Sequence, residues 1–280
     1  MPFLKFIAEE LFLSVLGRPY IKRRTPDCYI LSYRKCGRTW LRMMLAKALA
    51  LYHGSAHQYI FDSAELIRRG YFSVPYIDFT HGDEVFRRDD RFLERYRNRK
   101  VALLVRDPRD VVVSYYFHRT RRAGESYRIS DFIRHQEFGI DGIIYYMNRW
   151  YDMRENFSDF MILRYEDLKR ETLENLKRLL AFIGYGDMKE ETLREAIEYG
   201  SFDNMRRLSV TKLKNEKRLA PKNPEDPESY KVRKAKVGGY TELLNKEDIL
   251  YVEERISRYL NPLFGYNRAE TLDMLADDIQ

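Results

Sequence analysis

Short apolar runs alternate along the chain with longer segments in which apolar residues recur every three or four positions. The short runs have the length of buried strands and contain β-branched residues, which predicts strands at 28–33, 101–105 and 159–164. The helical spacing predicts helices near 39–51, 110–121, 140–156, 168–183, 189–199 and 246–260. Because strands and helices alternate, we expect an α/β fold with a central parallel sheet and helices on both of its faces.

The remaining segments set the predicted domain organisation. Residues 206–236 contain many charges and little periodicity, which predicts a long surface loop of the kind that often forms a functional lid. Residues 1–27 predict an amphipathic segment that either packs against the domain or docks on a membrane or a partner. We therefore expect one large domain at 28–267 and a tail at 268–280. No apolar run reaches the roughly 18 residues of a membrane-spanning helix.

The segment after the first predicted strand has the features of an anion-binding loop. A basic turn with one glycine, Gly37, leads at once into an amphipathic helix, and Lys35, Arg38 and Arg42 surround it. The first turn of a helix carries unpaired N–H groups and the positive end of the helix dipole, so it favours a phosphate. The lysine precedes the glycine, unlike the usual nucleoside-triphosphate loop. A basic turn with no ligand is the alternative.

A second turn of this kind follows the strand predicted at 101–105. Asp107 and Pro108 predict a helix start with a capping side chain and a proline at its first position. Arg106 then lies at the carboxyl end of the strand, where open parallel sheets bind ligands, and Ser114 lies about two turns into the helix. The alternative is that Arg106 pairs on the surface with Asp107 or with Asp110.

Net charge and cysteine content say less about the function than the two turns do. The chain of 280 residues has a formal net charge of +7, which suits an anionic small molecule, nucleic acid or anionic lipid equally well. The two cysteines, Cys28 and Cys36, flank one predicted strand and lie too far apart for a disulfide if the strand is extended. We therefore expect reduced thiols and a cytoplasmic location, either free or at a membrane surface.

Five further features of the sequence follow one another in order over roughly residues 28–265, at Arg34–Trp40, Arg106–Ser114, Tyr165–Leu168, Ser201–Met205 and Arg233–Gly238. With these five segments the chain resembles the PAPS-dependent sulfotransferases. In the same order, the segments resemble the family's 5′-phosphosulfate loop, its 3′-phosphate segment, its Y-E-D-L element, its S-F-x-x-M adenine segment and its R-K-G-x-x-G loop. The resemblance implies a P-loop-like sheet and a sulfotransferase that moves a sulfuryl group from PAPS, without a metal, to a hydroxyl or amine.

The resemblance also implies roles for individual residues. His81 aligns with the family's catalytic histidine, and Lys35 is placed to meet charge on the leaving group. Trp40 and Phe202 would sandwich the adenine, although ordinary core packing is the alternative for Phe202, as a structural role is for His81. The residues implied to bind the donor are Lys35, Cys36, Gly37, Arg38, Thr39, Trp40, Arg106, Ser114, Tyr165, Ser201, Phe202, Met205, Arg233, Lys234 and Ala235.

This chain departs from the family's pattern at several positions. Cys36 and Arg38 stand where serine and threonine are usual, Ala235 replaces a glycine, and Phe79 replaces a lysine two residues before the histidine. A thiol at a helix start beside cations favours the thiolate, so we expect Cys36 to be reactive and to be protected by nucleotide. A buried and inert Cys36 is the alternative.

Two other functions fit parts of the pattern. A P-loop kinase would share the fold, but the order of Lys35 and Gly37 and the absence of a magnesium-binding carboxylate motif in the sequence argue against it. A non-catalytic protein that binds nucleic acid or a membrane would use the basic surface alone. The acceptor, whether a small molecule, lipid or glycan, is left open. We expect its pocket to be lined by residues near 53–82, 122–148 and 206–230.

Overall fold

The computed structural model describes residues 24–87, 89–225, 230 and 236–267. Within this part of the chain, four parallel strands form one sheet in the order β2-β1-β3-β4. Their bounds are Cys28–Leu31 (β1), Ile77–Thr80 (β2), Lys100–Val105 (β3) and Asp159–Arg164 (β4). The predicted tail at 268–280 and all but residues 24–27 of the predicted N-terminal segment lie outside the described residues. The domain bounds therefore stay a prediction.

Helices connect the strands and follow the last of them. They are Arg38–Tyr52 (α1), Ser63–Arg68 (α2), Pro108–Phe117 (α3), Ile129–Ile133 (α4), Ile140–Asp152 (α5), Tyr165–Arg170 (α6), Thr172–Phe182 (α7), Glu190–Tyr199 (α8), Phe202–Val210 (α9) and Lys246–Tyr259 (α10). Among the described residues, no helix combines the length and the apolar character needed to cross a bilayer.

The two central strands are buried along their length. Every residue of β1 is buried, as is every residue of β3 after Lys100. Successive side chains of a strand point to opposite faces, so burial of consecutive residues means that both faces of the sheet are covered. The predicted α/β fold, with a parallel sheet flanked by helices, is therefore confirmed.

The sequence pattern missed several elements or misjudged their bounds. Strand β2 was not predicted, because it lies at the sheet edge and only Ile77 is fully buried. Helix α9 extends to Val210, so the loop predicted from residue 206 begins later than expected. The helix predicted at 168–183 is two helices, because Glu171 leaves the helical conformation with φ −129° and ψ 61°.

The sheet topology brings four segments of the chain to one edge. Leu31 of β1 pairs with Thr80 of β2 and with Leu103 of β3, so the carboxyl ends of these parallel strands lie side by side. Strand β4 pairs with β3 up to Arg164. The chain leaves β1 toward β2 on one side and returns to β3 on the other, which creates the crevice where such sheets bind ligands.

Candidate active site

A cavity of about 430 Å³ opens at this edge of the sheet. Segments that follow all four strands contribute to its wall, from the turn after β1, the end of β2, the turn after β3 and the start of α6. The predicted site residues that line it are Lys35, Gly37, Arg38, Thr39, Trp40, His81, Arg106, Ser114, Tyr165, Ser201, Phe202 and Met205. Residues predicted from motifs far apart in sequence thus share one cavity.

The turn between β1 and α1 has an unusual backbone. Lys35 and Gly37 both have positive φ values, 73° and 89°, and Gly37 is the N-cap residue of α1. Successive backbone N–H groups in such a turn point into one concavity, which favours an anion. No acidic residue lies in the first turn of α1. The local geometry and charge therefore suit the phosphate-binding role predicted for this loop.

The ring of Tyr165 lines the cavity and contacts residues from two of its turns. The guanidinium carbon of Arg106 lies 4.6 Å from the centroid of the Tyr165 ring. On another side, the ring of Trp40 packs edge-on against Tyr165, with centroids 5.8 Å apart. Tyr165 therefore connects the two turns that the sequence predicts to bind anions, through direct contacts with Trp40 and Arg106.

Arg106 links three parts of the cavity wall. Its guanidinium donates hydrogen bonds to the carbonyl of Lys35 at 3.3 Å and to the carbonyl of Lys236 at 2.7 Å. It also forms an ion pair with Asp110 at 3.2 Å, one of the two partners that the alternative interpretation gave Arg106. The pair is not a surface contact, because the Arg106 side chain is 11% exposed. Its Nε atom is buried and has no hydrogen-bond partner among the described residues.

The helix start after β3 is built as the sequence predicts. Asp107 is the N-cap residue of α3, its side chain accepts a hydrogen bond from the backbone N–H of Arg109, and Pro108 occupies the first helical turn. This cap fixes the direction of α3, so Ser114 faces the cavity two turns further on. Arg106 and Ser114 therefore lie on the same wall.

The adenine segment forms the start of α9. Ser201 caps this helix by accepting a hydrogen bond from the backbone N–H of Asn204 at 3.4 Å. Phe202 lines the cavity and is only partly buried, whereas Met205 is 1% exposed and packs in a second hydrophobic cluster with Met43. Core packing is thus a poor account of Phe202, whose ring faces the cavity with Trp40 on the same wall.

His81 follows β2 and is held in one orientation. Its Nδ1 atom lies 3.1 Å from the carbonyl oxygen of Ser32, which can only accept, so Nδ1 carries the proton and Nε2 the lone pair. Arg38 donates to that lone pair across 2.6 Å. Burial and the positive charges of Arg38 and Arg34 lower the pKa of His81 to about 3. The imidazole is therefore neutral near pH 7.

Cys36 corrects the expectation of a reactive thiol. The residue is 2% exposed, its thiol lies 3.8 Å from the carbonyl of Arg34, and it does not line the cavity. Burial raises the pKa of Cys36 to about 12, which outweighs the opposite effect of Arg106 and Arg38. The residues on both sides of Cys36, at 33–35 and 37–40, line the cavity, whereas Cys36 itself is buried in the hydrophobic core. Cys28 is likewise free, buried and shifted upward in pKa to about 12.

Comparison with known proteins identifies the family. The model of the sulfotransferase domain matches residues 25–263. The chain belongs to the sulfotransferase family. It is 27% identical to flavonol 4′-sulfotransferase of Flaveria chlorifolia over 235 residues, 74% of this chain and 72% of that protein. It is 25% identical to cytosolic sulfotransferase 17 of Arabidopsis thaliana over 266 residues, 85% of this chain and 75% of that protein.

A solved sulfotransferase has the same fold. The crystal structure of mouse sulfotransferase SULT7A1 complexed with PAP superposes with a TM-score of 0.59 and 18% sequence identity. The superposition covers 84% of this chain and 85% of the mouse chain. At this identity the likeness concerns the fold alone. It confirms the predicted P-loop-like architecture independently of the sequence motifs.

Not every predicted residue of this sulfotransferase can be located. Arg233, Lys234 and Ala235 lie outside the described residues, so their predicted contact with the 3′-phosphate stays a prediction. Conversely, the sequence analysis did not select several residues of the cavity wall, namely Asp110, His118, Lys169, Lys236, Gly239 and Glu242. Lys169 had one available signal, since it follows Tyr165 by one turn of α6 and therefore lies on the same helix face.

Asp110 has a structural task at the edge of the cavity. Its carboxylate accepts hydrogen bonds from the backbone N–H groups of Gly238 at 2.9 Å and of Tyr240 at 3.3 Å. It thereby fixes the chain segment that follows residue 235 against α3.

No group of three or more residues able to ligate a metal occurs in the described part of the chain. Metal-independent donor binding stays a prediction.

Proposed function

We propose that this sulfotransferase transfers the sulfuryl group of PAPS (3′-phosphoadenosine 5′-phosphosulfate) to the hydroxyl or amine of an acceptor. One observation carries the proposal: two basic turns, after β1 and β3, and an imidazole after β2 line one cavity. A donor that bears phosphate groups on both sides of its ribose uses both turns, whereas a nucleotide with a single phosphate chain uses one. The arrangement therefore supports PAPS as the donor.

The residues of the two turns fit such a donor. The buried Nη1 atom of Arg38 and the buried Nε atom of Arg106 have no hydrogen-bond partner among the described residues. A buried donor without a partner costs about 1–3 kcal/mol, and more when it is charged, so both atoms favour an anionic ligand. Arg38 belongs to the turn proposed for the 5′-phosphosulfate, and Arg106 to the turn proposed for the 3′-phosphate.

The chemistry follows from the positions of the charged groups. Sulfuryl transfer is an in-line displacement in which positioning and charge stabilisation supply most of the catalysis. Lys35 would stabilise the negative charge that develops on the 5′-phosphate as its bond to sulfur breaks and the electron pair remains on the phosphate oxygen. Nε2 of His81 would take the proton of the acceptor as the acceptor oxygen or nitrogen bonds to sulfur.

Adenine would bind against the aromatic wall. Trp40 and Phe202 line the cavity, and a base that stacks on such rings gains on the order of 1–3 kcal/mol per contact. Tyr165 packs edge-on against Trp40 and lines the cavity beside it. The base would therefore lie at the end of the cavity formed by α1, α6 and α9.

Incubation with PAPS labelled in the sulfuryl group, against panels of phenols, alcohols, amines, glycans and lipids, tests the proposal directly. Mass spectrometry should detect a sulfated product from at least one panel, and His81→Ala should abolish it while calorimetry shows no loss of affinity for adenosine 3′,5′-bisphosphate. ATP with magnesium serves as the control for a kinase. Failure to bind adenosine 3′,5′-bisphosphate, or binding that is lost on addition of EDTA, would contradict the proposal.

A further inference from the structure

The guanidinium of Arg38 covers the atom that the proposed reaction needs. Nε2 of His81 is the nitrogen with the available lone pair, because Nδ1 donates to the carbonyl of Ser32. Arg38 donates to that lone pair at 2.6 Å, so an acceptor hydroxyl cannot form the same hydrogen bond. Proton transfer to His81 therefore requires that Arg38 first move away from Nε2.

Arg38 has the position and the charge to move toward an anion. It is the first residue of α1, directly after Gly37, and it lines the cavity together with Lys35. Within the described part of the chain, no carboxylate forms an ion pair with Arg38. Arg34, by contrast, is held by a bidentate pair with Asp83 at 2.7 and 2.6 Å. Of these two guanidinium groups, only that of Arg38 is without a carboxylate that fixes it.

The contact also weakens His81 as a base. The groups that face the imidazole are Arg38 from α1, Arg34 and the Ser32 carbonyl from the segment after β1, and Asp83 from the turn after β2. After burial, the charge of Arg38 is the largest cause that lowers the pKa of His81. A base is most effective when its pKa lies near the working pH, so His81 gains basicity when this charge is withdrawn or neutralised.

We propose, on the basis of the proposed function, that Arg38 binds His81 first and the donor afterwards. Its guanidinium covers Nε2 until donor oxygens on the phosphate loop draw it away, and His81 then becomes free to take the acceptor proton. Donor binding thus creates the base, and the acceptor binds productively only after the donor. Arg38 is a positioning residue for His81 and contacts the donor itself once it has moved.

Nuclear magnetic resonance of the imidazole nitrogens tests this without knowledge of the acceptor. The chain has five histidines, and His81→Gln identifies the signal of His81 by its loss. In the nucleotide-free wild type, we expect a neutral His81 whose pKa lies well below that of an ordinary histidine. Adenosine 3′,5′-bisphosphate should raise this pKa by about one pH unit or more, since it withdraws a positive charge from contact. In Arg38→Thr, the pKa should already be raised without nucleotide.

Two comparisons decide the outcome. The nucleotide adds negative charge in every variant, so the proposal requires a larger nucleotide-induced rise of the His81 pKa in the wild type than in Arg38→Thr. Arg34→Gln is the matched control, because it removes a nearby charge that Asp83 holds in place, and it should retain the full nucleotide effect. Arg38→Lys provides a second variant that keeps the charge if Arg38→Thr does not fold, and it should show a smaller nucleotide effect than the wild type.

An equal nucleotide-induced rise in the wild type and in the Arg38 variants would overturn the proposal. An unchanged His81 pKa in nucleotide-free Arg38→Thr would overturn it as well, and this measurement does not depend on the donor. Calorimetry on the same samples distinguishes failure of the proposed function from failure of the proposed movement of Arg38. If neither the wild type nor any variant binds adenosine 3′,5′-bisphosphate, the proposed function is wrong. If the nucleotide binds normally but the rise of the His81 pKa does not depend on Arg38, only the proposed movement of Arg38 is wrong.

Discussion

Gly37 lies against the edge of the Tyr165 ring so closely that a Cβ atom on Gly37 would be 2.6 Å from Cδ2 and 2.8 Å from Cε2 of that ring. The same ring contacts the guanidinium of Arg106. The loop after β1 and the turn after β3 therefore depend on one tyrosine at the end of β4 for their separation. Any side chain at position 37 would push the two proposed phosphate sites apart.

Gly37→Ala should consequently damage both stability and nucleotide binding. The positive φ of 89° alone costs an alanine about 1–2 kcal/mol, and the contact with Tyr165 adds to this. Gly54→Ala is the matched control, because Gly54 also has a positive φ, 64°, but open space where the Cβ would lie. Urea denaturation should show a larger loss for Gly37→Ala, and only this variant should lose affinity for adenosine 3′,5′-bisphosphate. Equal losses would mean that the contact with Tyr165 relaxes freely.

Arg106 and Arg109, neighbours on the same helix start, should separate binding from stability. Arg106→Ala removes a cavity-lining cation and should weaken binding of adenosine 3′,5′-bisphosphate by roughly 1.5–3 kcal/mol. Arg109 is buried and pairs with Glu253 at 2.7 Å, away from the cavity lining. Arg109→Ala leaves Glu253 uncompensated and should cost about 3–5 kcal/mol of unfolding free energy. Calorimetry and denaturation of both variants test this, and the reverse result would misassign both residues.

The sequence alone predicted those features of the candidate site that depend on one short segment of the chain. The loop containing Lys35, the Asp107 cap and the position of Ser114 depend on residues within about two helical turns, so local rules predict them. The contact between Arg38 and His81 spans 43 residues and depends on the pairing of β1 with β2. Because β2 is a short edge strand, the sequence pattern did not predict this strand. The contact between Arg38 and His81 could therefore not be predicted either.

The orientation of Cys36 shows a second limit. Its charge environment was predicted correctly in kind, because Arg106 and Arg38 both favour the thiolate. Whether the thiol faces the cavity depends on the backbone angles of Lys35 and Gly37, which turn the intervening side chain into the core. Composition and spacing carry no information on that direction. For this reason the structure favours the alternative of a buried, inert Cys36 over the predicted reactive thiol.

Phe202→Ala should weaken nucleotide binding with little effect on folding. The ring is partly exposed and faces the cavity, so its removal should cost about 1–3 kcal/mol of binding free energy through lost stacking. Met205→Ala, one turn further along α9, removes a side chain that is 1% exposed. It should lower the unfolding free energy by about 2–5 kcal/mol, a larger loss of stability than Phe202→Ala causes. Comparable loss of stability in both variants would return Phe202 to the hydrophobic core.

Neither cysteine should react with alkylating reagents while the protein is folded. Burial raises the pKa of Cys28 and of Cys36 to about 12, so both remain thiols at neutral pH and neither is accessible. Peptide mapping after limited treatment with iodoacetamide should find slow labelling of both sites, unaffected by nucleotide. Denaturation in urea should make both react at once, which serves as the control. Fast labelling of Cys36 alone in the folded protein would place its thiol in the cavity.

His81 should make the stability of the protein depend on pH. Its pKa is about 3 in the folded protein and about 6.5 when unfolded, so below pH 6.5 the unfolded chain binds a proton that the folded protein does not. The unfolding free energy should therefore fall with pH from 6.5 downward, by at most about 1.4 kcal/mol per pH unit from this residue, and stay level above pH 7.5. Urea denaturation of the wild type and of His81→Gln between pH 7.5 and 5.5 isolates the effect, because the variant lacks this dependence.

His53→Gln is the control, since burial lowers the pKa of His53 without an arginine in contact among the described residues. Its removal should change the slope of the unfolding free energy against pH less than removal of His81 does. Parallel curves for the wild type and His81→Gln would show that the folded protein protonates His81 as readily as the unfolded chain does.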